Sequence, residues 1–96
     1  LFRSWDVAIE ESRRMIQLNQ FYEGGWYLLM RCLANSGDLR RAQEAYERYE
    51  RVPSAGSESS KTQREMNLLY RRIGQRISGI NLNLDGFEQD QGLPFD

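Results

Sequence analysis

The sequence predicts an all-α fold of antiparallel helix hairpins, on three observations. Apolar residues Trp26, Leu29, Met30 and Leu33 recur at i, i+3, i+4 and i+7, which lays one stripe along a helix. Leu39, Ala42, Tyr46 and Tyr49 share one face of a second helix a few residues later. Between them stands Asn35-Ser36-Gly37-Asp38, where glycine closes one helix cheaply and Asp or Ser opens the next. Neither helix can cover its stripe alone, so the hairpin over 26–49 needs neighbours. A composition of 40% hydrophobic and 28% charged residues, with two prolines, fits one small helix-rich globular unit.

The neighbours come from both sides. Residues 5–18 read as a helix with Trp5, Ala8, Ile9, Ser12 and Ile16 on one face and Ser4 as its N-cap. Residues 19–25 form a connection, since Gly24 and Gly25 each weaken a helix by about 1 kcal/mol. Glu23 or Gly24 can still sit in a first turn. Pro53 ends the hairpin, because the residue before proline is pushed out of the helical region. A polar loop over 53–60 follows. Thr62-Gln63-Arg64-Glu65 then matches a capping box, and Met66, Leu69, Tyr70, Ile73 and Ile77 predict a fourth helix over 62–78, ended by Gly79. The helical domain is thus 1–78, and 79–96 is an irregular acidic tail in which Ile80, Leu82 and Leu84 alternate with polar residues. The chain opens with Leu1, almost directly on helical sequence, as a piece of a longer protein would.

Charge and chemistry narrow the function. The net charge is −1, but residues 52–84 carry +3 and residues 85–96 carry −4. This balance argues against a broad nucleic-acid surface and for attraction between the basic helix and the acidic tail. The sequence holds no histidine, so Cys–His and Ser–His–Asp machinery is excluded and an enzyme is not expected. Cys32 reads as a semi-buried apolar residue beside Arg31, compatible with a reducing, cytoplasmic setting. Glu44–Arg48 and Glu47–Arg51 read as solvated i,i+4 pairs. Gly74 and Gly79 have a phosphate-loop spacing, but Ile80 and Asn81 follow where Lys and Ser or Thr are needed. Asn81, Asn83, Asp85 and Gly86 resemble half a calcium loop, but Gly92 stands where its bidentate Glu belongs. No metal or other cofactor is expected. No apolar run is long enough to span a bilayer. On the fourth helix Arg64, Arg71 and Arg72 are candidates for phosphate contact, without an aromatic platform or helix-turn-helix pattern beside them.

Residues 8–15 and 42–49 align at an offset of 34, the period of tetratricopeptide repeats. That family's pattern is met as Trp26-x2-Leu29-Met30-x2-Leu33, then Ala42-x3-Tyr46, with Met30 where a small residue is usual and Ser54 where a proline is usual. The resemblance implies a stacked solenoid fragment in which residues 1–20 are the second helix of a preceding repeat. Trp5-Asp6-Val7-Ala8-Ile9, Leu29-Met30-Arg31, Gly37 to Ala42, Tyr46-Glu47-Arg48 and Leu69-Tyr70-Arg71-Arg72-Ile73 narrow it further. In that order they resemble the bacterial transcriptional activator domain, a tetratricopeptide-like module that follows a winged-helix domain in bacterial regulators. The likeness spans about residues 1–77, and Gly56-Ser57-Glu58-Ser59-Ser60 lacks the family's loop proline. It implies a regulatory module for self-association, or for contact with a DNA-binding domain or the transcription machinery. Repeat positions that line the concave face select Gly24, Tyr27, Arg31, Ala34 and Asn35, with Tyr27, Arg31 and Asn35 as the partner-binding set. Two other readings stay open: a generic adaptor or chaperone that holds an extended peptide, and direct nucleic-acid binding through 62–78.

Overall fold

Four helices follow one another in the computed structural model, which describes residues 2–53 and 60–82. They are α1 (Phe2–Leu18), α2 (Glu23–Asn35), α3 (Leu39–Glu50) and α4 (Lys61–Leu82). The polar loop 54–59 and the tail from 83 onward, with the calcium-like element after Asn81 and the acidic end, lie outside the described residues.

Helix α2 is the centre, because α1, α3 and α4 all pack against it. Its predicted stripe is the core: Trp26, Leu29, Met30 and Leu33 are buried with Ala42, Ala45, Tyr46 and Tyr49 of α3 and Met66, Leu69 and Ile73 of α4. Ala34 and Cys32 are buried as well, so α2 is covered on most of its circumference. The turn after it is a Schellman closure. Gly37 takes φ +96°, its N–H donates to Ala34 O at 3.1 Å, and Asp38 N–H donates to Leu33 O at 2.9 Å. Asp38 then caps α3 by accepting from Arg41 N–H at 3.2 Å.

Several predicted ends move. Helix α1 starts at Phe2, so Ser4 lies inside it and does not cap it. Trp5, expected on the buried face, is 36% exposed. The two helices are antiparallel with Ile16 opposite Gly25, so Trp5 falls level with residue 36, where α2 has already ended. Ser12 is fully buried, and its hydroxyl donates to Ile9 O at 2.8 Å. Gly25 is not a connection residue but part of the first turn of α2, and a Cβ there would sit 3.4 Å from Ile16 Cγ1 and Met15 Cβ. Helix α1 thus lies directly against this turn of α2.

Helix α4 is capped by Ser60 rather than Thr62: Gln63 N–H donates to Ser60 Oγ at 3.0 Å. Both Ser60-x-x-Gln63 and Thr62-x-x-Glu65 fit the capping pattern, and tertiary contact selects the first. Ser60 Oγ also donates to Glu23 Oε1 of α2 at 2.6 Å, which fixes it in place. At the other end α4 runs through Gly79 to Leu82. A glycine stop needs left-handed backbone, and Gly37 alone among the described glycines has it. The helical part therefore extends past 78, and residues 80–82, expected in an extended segment, are its last turn.

Candidate protein-interaction site

Tyr27, Arg31 and Asn35 stand at i, i+4 and i+8 on α2, and all three are half-buried. The Arg31 guanidinium lies 5.5 Å from the Tyr27 ring centroid, a cation–π contact worth about 0.5–1 kcal/mol at a partly exposed site. Tyr27 packs its other side against the core, and Asn35 is engaged within the chain. Arg31 Nε is buried and has no hydrogen-bond partner. The three thus form one face, with the arginine head held over the tyrosine. Cys32 beside them points inward; burial pushes its thiol up while Arg31 pulls it down, and burial prevails, so it is a poor nucleophile at neutral pH.

Arg64, Arg71 and Arg72 are exposed on the outer face of α4, around Leu68, which is exposed as well. Arg64, Arg72 and Arg76 already take part in interactions within the chain.

The expected ion pairs of α3 do not form among the described residues, and Glu47, Arg48 and Arg51 each make another contact. Glu47 accepts from the Tyr70 hydroxyl at 2.9 Å, and that hydrogen bond is the first cause holding the Tyr70 phenol above its ordinary pKa. Arg51 Nε donates to the Glu47 carbonyl at 3.3 Å, and the Arg48 guanidinium lies 5.6 Å from the Trp26 ring centroid. The ring contact removes Arg48 from Glu44.

These two arginines border a groove that sequence reasoning missed. It is an open cleft of about 630 Å³ between the end of α1, the 19–21 turn, and the end of α3 with Val52 and Pro53. Trp26 forms its floor, and the indole Nε1–H donates to Gln20 O at 2.8 Å, which pins the turn. Asn19 Oδ1 accepts from Phe21 N–H at 3.0 Å and turns the Phe21 backbone at the rim. Leu18 is 81% exposed and Phe21 57%. Arg48 and Arg51 supply two positive charges, and no acidic residue lines the cleft among the described residues. The signal in the sequence was Leu18-x-x-Phe21-Tyr22, bulky apolar residues inside an otherwise polar connection. What it could not show is that α3 brings Arg48 and Arg51 to the same place.

Beside the groove sits a polar knot that joins three helices. The Glu23 carboxylate takes the Ser60 hydroxyl on Oε1 and the Tyr49 hydroxyl on Oε2 at 3.0 Å, and Gln63 Nε2 donates to the Tyr49 oxygen at 3.4 Å. Burial first, then the hydrogen bond and charge of Glu23, push the Tyr49 phenol up to about 12. Tyr46 stacks on Tyr70, with ring centroids 4.4 Å apart, and accepts from Asn67 Nδ2 at 3.2 Å. These contacts set the register of α4 on α3.

No helix among the described residues is long and apolar enough to cross a membrane. Comparison with protein-family models, with curated proteins and with solved structures finds no match to this chain.

Proposed function

We propose that this chain is a protein–protein interaction module that associates with a second copy of itself through the Trp26 groove. The observation that carries the reading is the meeting of exposed Leu18 and Phe21 with Arg48 and Arg51 around one cleft. Apolar side chains left in water beside cations with no described acid partner suit an apolar, acidic surface. The wider setting is the one the resemblance implies: a tetratricopeptide-like hairpin stack serving as the regulatory segment of a bacterial transcriptional regulator. The order of α1 to α4 and the central place of α2 are compatible with a stack of helix hairpins.

Sedimentation velocity over a concentration series tests the proposal. The chain is expected to self-associate, and Arg48→Glu with Arg51→Glu to weaken that association by about tenfold or more, with helix content unchanged by circular dichroism. Raising the salt should weaken it in the same direction. A chain that stays monomeric at every concentration contradicts the reading.

A second reading places an extended peptide on Tyr27, Arg31 and Asn35, which share one half-buried face of α2 with the Arg31 guanidinium held over the Tyr27 ring. Arg31→Ala separates the two, since it leaves the groove intact and removes the donor that such a peptide would take.

A further inference from the structure

We infer that the groove receives residues 83–96 of a second copy of this chain; the inference rests on the interaction reading above and names its occupant. The segment carries Asp85, Glu88, Asp90 and Asp96 with no basic residue, and interleaves them with Phe87, Leu93 and Phe95. The groove offers the complement of both features, two arginines and the apolar surface of Leu18, Phe21, Val52 and Pro53. The outer face of α4 offers only half of it. Among the described residues that face has cations, and its exposed bulky apolar residue is Leu68.

Chain direction argues for a second copy over the same one. Helix α4 lies antiparallel to α3, as the contacts Gln63–Tyr49, Asn67–Tyr46 and Tyr70–Glu47 and the approach of Gly74 to Gln43 show. Leu82 is therefore carried away from Val52 by a helix of 22 residues, about 33 Å at 1.5 Å per residue. Residues 83–96 reach at most about 46–50 Å, so a return within one molecule consumes roughly ten of them at full extension. A neighbouring copy needs no return and presents all four carboxylates together with Phe87, Leu93 and Phe95. Two copies that exchange segments fill both grooves, and the assembly closes.

The test uses the full chain. Leu93→Ser with Phe95→Ser lies outside the described core and should weaken self-association about tenfold or more, as the groove variant does. A synthetic peptide of residues 83–96 should dissociate the wild-type assembly. The groove variant keeps its segment and the segment variant keeps its groove, so an equimolar mixture should associate where each alone does not. Normal association of Leu93→Ser/Phe95→Ser, together with no effect of the peptide, overturns the assignment of the segment. If Arg48→Glu/Arg51→Glu still abolishes association in that case, the groove reading stands without this occupant. If no variant changes the oligomeric state, both fail.

Discussion

Replacing Met30 by alanine is expected to cost about 3–4 kcal/mol of unfolding free energy, read as a lower urea midpoint at unchanged slope. Met30 is fully buried in the cluster that α2, α3 and α4 share, so the deleted atoms leave a cavity that three packed helices cannot close. A chain of this size has a total stability on the order of 5–14 kcal/mol, so the loss is a large share of it. Met30→Leu keeps volume and apolarity and should cost less than about 1.5 kcal/mol. The contrast separates a filled core position from a surface one. It also bears on the hairpin itself, because a generic repeat has a small residue here.

Glu23→Ala should be the second costly change, at about 2–3 kcal/mol, because it leaves the Ser60 and Tyr49 hydroxyls without their acceptor. Tyr49 is only 3% exposed, so water cannot simply replace the carboxylate. The same substitution should change the alkaline behaviour. Below about pH 10 Tyr49 is protonated in folded and unfolded chains alike, and its contribution is fully present. As pH rises from there to about 12, the unfolded phenol ionises while the folded one resists, and stability drains away. In Glu23→Ala the midpoint of the last tyrosinate absorbance step should fall. It should stay above the ordinary value, since burial is the larger cause.

What was legible in the sequence is what neighbouring residues dictate. The stripe Trp26, Leu29, Met30, Leu33 and the stop at Gly37-Asp38 depend on helical period and on one left-handed residue, and both are found. The errors fall where distant chain decides. Ser60 outcompetes Thr62 because Glu23, 37 residues earlier, holds its hydroxyl. Gly25 reads as a breaker until α1 is seen lying against it. Glu47 and Arg48 look like members of local ion pairs, but Tyr70 and Trp26 claim them. Tyr27 and Arg31, selected by repeat position, stand one turn apart on α2, and their cation–π contact follows from that spacing. The groove was not legible, since it combines the end of α1, a turn, and the end of α3.

Association at the Trp26 groove can be read from an amide NMR dilution series of the wild-type chain. The Trp26 indole N–H, bonded to Gln20 O, gives a separate signal at the floor of the cleft. With association at the groove, this signal should move with concentration together with the amides of Leu18, Phe21, Arg48 and Arg51. Shifts confined to Tyr27, Arg31 and Asn35, or to Arg64, Arg71 and Arg72, with the Trp26 indole unmoved, would contradict it.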